Sequence, residues 1–262
     1  MTRAAAVALA SAVLIGAAGG AAPGLLGAQG AADGTITGHV RLAGPAPANP
    51  LIRMGADPRC SLATRGQRLT QEIVLRGADG GLANAFVSLR GQFAATPAPA
   101  EPVTIDQRNC MFVPRVVGVR VGQTLRITNN DATSHNLHSV SKANAFNTSQ
   151  PKQGMASTFQ LKAEEGMIRI RCDIHSLMAT YVGVSPHPYF AVSWADGAFT
   201  IARVPAGRHT IQVWHERYGM LTRTVDVKAG AAATVEFSYS GKEKPGGVAL
   251  RELVIPSEGR PS

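Results

Sequence analysis

Polar and apolar residues alternate along most of the chain after Gly34, which is the period of a β-strand with one buried face. Residues 35–42 show the pattern most clearly, and Gly44-Pro45 ends it. Similar segments follow, separated by Gly, Pro, Asn and Asp, which are typical of turns. They are residues 72–75, 83–89, 116–121, 124–129, 167–172, 179–184, 199–202, 210–215, 222–227 and 234–239. No long amphipathic helix is predicted, so we expect an all-β fold.

The sequence also predicts the structure of two connecting segments and of the C-terminal tail. Gly122-Gln123 predicts a tight turn that joins residues 116–121 and 124–129 as a hairpin-like pair. Residues 94–102 are rich in Pro and Ala and are predicted to form a linker. Residues 241–262 are rich in Gly, Pro and charge, and we expect a flexible tail there.

Two predicted loops carry metal-binding side chains. Cys172, His175 and Met178 share one short loop in the order Cys-x-x-His-x-x-Met, and His135 lies in another. Two His and one Cys in a plane, with a weak axial Met, are the donors of an electron-transferring copper site. The soft sulfurs favour Cu(I), the imidazoles suit both oxidation states, and no position is left obviously open for a substrate. The set therefore predicts a one-electron carrier rather than a catalyst.

Residues 102–185 contain a series of motifs around these ligands. The motifs are, in chain order, Phe112-x-Pro114, Val119-x-Val121-Gly122-Gln123-Thr124-Leu125, Asn129-Asn130, His135-Asn136 and Cys172-x-x-His175-x-x-Met178. This ordered set resembles the cupredoxin family of type 1 blue-copper proteins, which includes the amicyanins and plastocyanins. The short ligand loop is most similar to that of the amicyanins. The resemblance implies a Greek-key sandwich with a copper cofactor.

The resemblance also implies a role for each residue of the site. His135 and His175 would ligate copper in one plane with Cys172, and Met178 would lie at a long axial distance, forming one type 1 site. Asn136 would tie the two ligand loops together and donate a hydrogen bond to the thiolate. Such outer contacts tune reduction potential and metal affinity.

Three further expectations concern the neighbours of the ligands. Asp173 follows the cysteine where the family has Ser or Thr, and its charge is expected to weaken the Asn136 brace and to favour Cu(II). His138 is either an additional ligand or a polar strand residue. By resemblance, His175 would lie near the surface as the electron port, with Ser176 and Leu177 at its rim.

The segments before and after residues 102–185 resemble a different type of β-sandwich. Residues 34–40 match the G-x-I-x-G-x-V opening of the carboxypeptidase regulatory-like, or prealbumin-like, β-sandwich, and residues 196–213 match its later D-G-x-F-x-I-x-x-V-P-x-G pattern, with His209 at a usual aromatic position. Each half alone would expose an apolar face and a strand edge. We therefore predict a discontinuous sandwich, residues 34–101 plus 186–240, with the copper domain of residues 102–185 inserted in it or adjoining it.

The first thirty residues predict export. Met1-Thr2-Arg3 supplies a positive start, residues 4–18 are apolar, and Ala28-Gln29-Gly30 fits a cleavage site. Residues 1–30 are thus expected to be a signal peptide for the periplasm, the alternative being an uncleaved membrane anchor. In an oxidising compartment, Cys60 and Cys110 would either form a disulfide or remain two separate thiols.

Charge narrows the list of partners. The net charge is +9, yet no block of Lys and Arg is present, so no nucleic-acid partner is expected. A diffuse positive field could steer an acidic redox partner, such as a cytochrome c or a periplasmic dehydrogenase, or it could be background composition. The alternatives to an electron carrier are a copper carrier or scavenger and a non-catalytic binding module. An enzyme is not expected, because the His residues do not complete the further sites of multicopper oxidases and nitrite reductases.

Overall fold

The computed structural model describes residues 32–52, 58–63 and 69–245, which leaves the predicted signal peptide and most of the predicted tail outside the described residues. Strands dominate, which confirms the all-β class. In the described part of the chain, no helix is long and apolar enough to cross a membrane. The elements are β1 (Gly34–Leu42), α1 (Pro58–Ala63), β2 (Phe86–Arg90), β3 (Val103–Arg108), β4 (Met111–Val113), β5 (Val116–Arg120), β6 (Thr124–Asn129), β7 (His135–Val140), β8 (Asn147–Gln150), β9 (Ala156–Gln160), β10 (Glu165–Arg171), β11 (Ala179–Ser185), β12 (Phe190–Val192), β13 (Ala198–Val204), β14 (Gly207–His215), β15 (Gly219–Val227) and β16 (Ala232–Tyr239).

The middle of the chain forms two sheets around one core. Their strand orders are β5-β11-β10-β7-β8 and β4-β3-β6-β9. Apolar side chains from both sheets are buried together, among them Ile105, Leu125, Leu137, Ile170 and Val182. The pairs β3–β6 and β5–β11 are parallel, so the chain crosses between sheets rather than folding back at each turn.

The outer segments form two other sheets, ordered β13-β1-β16 and β12-β2-β14-β15. β1 alternates between buried and half-buried residues along its whole length, as its sequence predicts. It pairs in parallel with β16 near the end of the described chain, and antiparallel with β13. A second core, which includes Ile36, Val87 and Phe237, lies between these sheets. The assignment of residues 34–101 plus 186–240 to a separate domain, and its resemblance to the regulatory-like sandwich, remain predictions.

The predicted pairing around Gly122-Gln123 is wrong. β5 and β6 belong to different sheets, and the turn carries the chain from one side of the core to the other. Gly122 has a φ of 84°, which only glycine adopts readily, and its N–H donates to the carbonyl of Leu161 at 2.7 Å. Both strands bury apolar residues against the same core from opposite sides, which a hairpin within one sheet would not allow.

The predicted strand at residues 72–75 does not form either. The side-chain amide of Asn49 bonds both the N–H and the carbonyl of Val74, each at 2.8 Å, and so replaces a neighbouring strand. Residues 94–102 contain no helix or strand, as expected of a linker, but they are held in place. Arg120 donates to the carbonyl of Thr96 at 2.9 Å, and Gln123 donates to that of Glu101 at 2.8 Å.

An aromatic seam joins the outer sheet β12-β2-β14-β15 to the sheet that carries the predicted ligand loop. Phe86 of β2 and Trp214 of β14 are buried with Val116 of β5. A Cβ on Gly183 of β11 would lie 2.6 Å from the Phe86 ring, so the close approach requires glycine there. β11 is consequently buried on both of its faces.

We expect Gly183→Ala to destabilise the fold by about 1–3 kcal/mol, because the added methyl overpacks the seam. Gly166→Ala is the matched control on neighbouring β10, since nothing lies within 4 Å of its Cβ position. Denaturant unfolding of both variants would check the prediction. Equal stabilities would mean that the sheets do not pack in this way.

Candidate metal centre

Two strand ends place the predicted ligands side by side. Cys172 directly follows β10, and His135 is the first residue of β7, which pairs antiparallel with β10. The loop from β10 to β11 is closed by backbone hydrogen bonds. The N–H of Met178 donates to the carbonyl of His175 at 2.8 Å, and the N–H of Cys172 donates to the carbonyl of Met178 at 3.2 Å. This tight loop turns His175 back toward Cys172.

Three of the four predicted ligands form a compact triangle. His135 Nδ1 lies 3.1 Å from His175 Nδ1, and Cys172 Sγ lies 3.7 Å from His175 Nδ1 and 4.0 Å from His135 Nδ1. Donors in a plane around one metal, with bonds of about 2.0–2.3 Å, would be separated by roughly 3.5–3.8 Å. The triangle therefore fits one ion at its centre, and its two imidazoles and one thiol suit copper.

The structure also places Asn136 as a brace between the two ligand loops. Its backbone N–H points at Cys172 Sγ at 3.3 Å, a distance that suits a hydrogen bond to a thiolate. Its side-chain oxygen accepts the N–H of Asp173 at 3.3 Å, and its amide donates to the carbonyl of Thr148 at 3.1 Å. One residue thus contacts the thiol, the ligand loop and strand β8.

Met178 is buried in the same core as Cys172, with 2% of its surface exposed. Its backbone closes the ligand loop, which brings the residue to the same end of the sandwich as the triangle. Its assignment as the axial ligand remains a prediction.

Asp131 is the residue of this site that the sequence analysis missed. Its carboxylate bonds His135 Nε2 at 2.9 Å and accepts the backbone N–H groups of Asn109 at 2.7 Å and Cys110 at 2.9 Å. An ionised carboxylate can only accept, so Nε2 carries a hydrogen and Nδ1 is the nitrogen available to a metal. The four-residue interval before the predicted ligand His135 is the only sequence signal for this contact.

The same network polarises the pair of His135 and Cys172. Burial opposes charge on both groups, but hydrogen bonds outweigh it. Contacts with Asp131 and Cys172 raise the pKa of His135 to about 9. For Cys172, burial by itself would raise the pKa, but hydrogen bonds from His135 and the Asn136 N–H lower it to about 6. Without metal, the pair is therefore an imidazolium and a thiolate at neutral pH, and metal binding would displace the imidazolium proton.

The Asn136 brace forms beside Asp173, and the expected effect of that charge on the brace and on Cu(II) stays a prediction. The backbone N–H of Asp173 donates to Asn136, while its carboxylate hydrogen-bonds His138 Nδ1 at 2.8 Å and forms an ion pair with Arg171, whose Nε lies 2.9 Å away. The added negative charge is thus paired outside the triangle. This contact occupies His138, which lies on β7, and favours its interpretation as a strand residue.

Cys60 and Cys110 form a disulfide, with their Cα atoms 5.7 Å apart. The bond joins α1 to the turn between β3 and β4, across 50 residues of sequence. It lies directly beside the triangle, because Cys60 Sγ is 3.6 Å from His175 Nε2. No local pattern indicates the contact between Cys60 and His175, since these two residues are 115 positions apart.

The expected port residue, His175, is half-buried, and its role as the electron port stays a prediction. Cys60, carried by α1, covers the edge of the ring that bears Nε2. The neighbouring loop residues are exposed, with 54% of the surface of Ile174 and 37% of that of Leu177 accessible, and Ser176 is exposed between them. A small apolar surface therefore lies next to the candidate site.

No protein-family model matches the sequence, and no curated protein matches it. The solved structures to which the chain is similar include several cupredoxins. A reduced mutant of amicyanin is 22% identical, with 38% of this chain and 98% of that chain covered and a TM-score of 0.30. A purple cupredoxin from Nitrosopumilus maritimus is 22% identical, with coverages of 31% and 98% and a TM-score of 0.28.

A Cu-containing nitrite reductase from Thermus scotoductus SA-01 is 21% identical, with a TM-score of 0.29. The match covers 36% of this chain and 24% of the reductase, so the chain spans about a quarter of that protein's length. Likeness at this level leaves the function to be argued from the site itself.

We expect Asp131→Asn to raise the pKa of Cys172 by about 1 or more, because the His135 imidazolium loses the carboxylate that stabilises it. The thiolate of the metal-free protein, followed by its ultraviolet absorbance, would protonate near pH 6 in the parent on acidification. In the variant it would protonate at a higher pH. Asp106→Asn is the control, because that carboxylate bonds Thr128 and Asn130 and neither ligand. Identical titrations of Asp131→Asn and the parent would contradict this role.

Proposed function

We propose that the chain is an exported copper protein that carries single electrons through one type 1 site, with His135, Cys172, His175 and Met178 as ligands. The observation that carries this proposal is the triangle of two imidazole nitrogens and one thiol sulfur, separated by 3.1–4.0 Å. Copper bound there would supply the exchange of one electron between Cu(I) and Cu(II). The residues of the chain must meet the other requirements of electron transfer.

The first requirement is that the ligands keep their positions in both oxidation states. His135 is wholly buried, and its far nitrogen is held by Asp131. Cys172 is 1% exposed and receives the backbone N–H of Asn136. Side chains fixed in this way need little rearrangement when the metal charge changes, which supports electron transfer over catalysis.

The second requirement is a place where a redox partner can approach. The exposed Ile174 and Leu177 flank His175 in the ligand loop, and they offer an apolar contact next to the site. The net charge of +9 favours an acidic partner protein, such as a cytochrome c or a periplasmic dehydrogenase. We propose docking at this loop, with Asp173, Arg171 and His138 forming its charged border.

Export to the periplasm forms part of the proposal. The residue pattern of 1–30 supports it, as does the Cys60–Cys110 disulfide, because such bonds persist mainly in oxidising compartments.

A Cu(II) titration followed by visible and EPR spectroscopy tests the function. We expect one equivalent of Cu(II) to give an intense colour with a narrow copper hyperfine splitting, because a thiolate–Cu(II) bond produces both. Cys172→Ser should lose both features. His138→Ala should keep them, since His138 is occupied by Asp173 outside the triangle.

Two results would contradict the electron carrier. Colour that survives in Cys172→Ser would place the copper elsewhere. A colourless parent that binds Cu(I) tightly would favour a copper carrier, the second candidate. One observation supports that candidate specifically, because Cys60 and Cys110 place two further sulfurs beside His175, which would be soft Cu(I) donors once their disulfide is reduced.

A further inference from the structure

The imidazole of His175 faces a sulfur on each of its two nitrogens. Nδ1 lies 3.7 Å from Cys172 Sγ, inside the triangle. Nε2 lies 3.6 Å from Cys60 Sγ, on the other side of the ring. The proposed electron carrier uses only the first of these contacts. The second belongs to a separate group of donors.

That group consists of Cys60, Cys110 and His175, whose ligand atoms all lie within 4.8 Å of one another. Both cysteines are almost fully buried, with 1% and 3% of their surfaces exposed. As a disulfide, the two sulfurs hold no thiolate and bind metal poorly. As thiolates beside an imidazole, they would be soft donors of the kind that selects Cu(I).

Both sulfurs have anchors that do not depend on the bond between them. The backbone N–H of Cys110 donates to Asp131 at 2.9 Å. The helix that carries Cys60 is tied to the same region, because Arg59 donates to the carbonyl of Ala132 at 3.3 Å. Opening the disulfide would therefore leave both thiols near His175.

We propose that the Cys60–Cys110 pair is a second, thiol-controlled copper site. In the disulfide form the site is closed. An external dithiol opens it by exchange, in which the Cys60–Cys110 bond breaks, the dithiol is oxidised to its own disulfide, and two protein thiols form. Cu(I) then binds the two sulfurs and His175 Nε2, with release of two thiol protons. The chain thus holds Cu(I) as cargo under reducing conditions and carries only its type 1 site under oxidising ones.

The inference goes beyond electron transfer and does not require it, since Cys172 takes no part. The test therefore uses full-length Cys172→Ser, which lacks the type 1 thiolate. Its Cu(I) binding is measured anaerobically by competition with a chromophoric Cu(I) chelator, before reduction and after treatment with a dithiol that is then removed. We expect the reduced protein to gain one equivalent of tightly bound Cu(I) that the disulfide form does not take up.

Two further variants in the Cys172→Ser background assign the ligands. Adding both Cys60→Ser and Cys110→Ser should abolish the gain. Adding His175→Gln should leave the number of thiols unchanged but weaken Cu(I) binding. Loss of an outer contact already lowers the metal affinity of a site by roughly tenfold to hundredfold, and loss of a direct ligand should lower it by at least as much.

Near-UV circular dichroism before and after reduction reports whether the dithiol form stays folded. Loss of that signal would overturn the proposal, because the site needs the native arrangement. A folded, reduced protein that gains no Cu(I), or a gain that survives without Cys60 and Cys110, would overturn it as well. The colour of the unreduced parent with Cu(II) reports on the electron carrier separately, so the two proposals can fail independently.

Discussion

The carboxylate of Asp131 forms hydrogen bonds with three groups from two parts of the chain that meet at one end of the middle sandwich. It fixes the ring of His135, and it accepts the N–H groups of Asn109 and Cys110 in the turn that carries the disulfide. A carboxylate that is only 5% exposed would be costly without such partners. Burial favours its neutral form, but the bonds from His135 and these N–H groups lower the pKa of Asp131 and keep it charged. The candidate site and the disulfide therefore share one buried anion.

The surrounding sheets explain why this arrangement can be rigid. The triangle is built from strand ends, since Cys172 follows β10 and His135 begins β7, and the two strands pair with each other. β11, which leaves the ligand loop, is packed on its other face against Phe86 through Gly183. β11 is thus held between the core of the middle sandwich on one side and the aromatic seam on the other. Hydrogen bonds within the loop then orient side chains whose backbone is already in place.

The disulfide links the protein's surroundings to the chemistry of its site. With the bond between Cys60 and Cys110 formed, Cys60 of α1 lies against His175, and that ring is half-buried. The proposed electron carrier and the proposed thiol-controlled site share this imidazole, each through a different nitrogen. A protein of this design would respond to thiols as well as to copper.

The sequence by itself determined the features that depend on neighbouring residues. Alternation placed β1, β10 and β16, because the two faces of a strand meet different surroundings. The spacing of Cys172, His175 and Met178 predicted one short loop for all three residues, because neighbours in sequence stay close in space.

Only the tertiary structure decided the features that join distant segments. The turn at Gly122 crosses between sheets, and the amide of Asn49 replaces a strand next to Val74. Asp131 reaches the turn of Cys110, and Cys60 reaches His175 across 115 positions. No local pattern encodes such contacts, because they arise when packing of the cores brings separate loops to the same end of a sandwich.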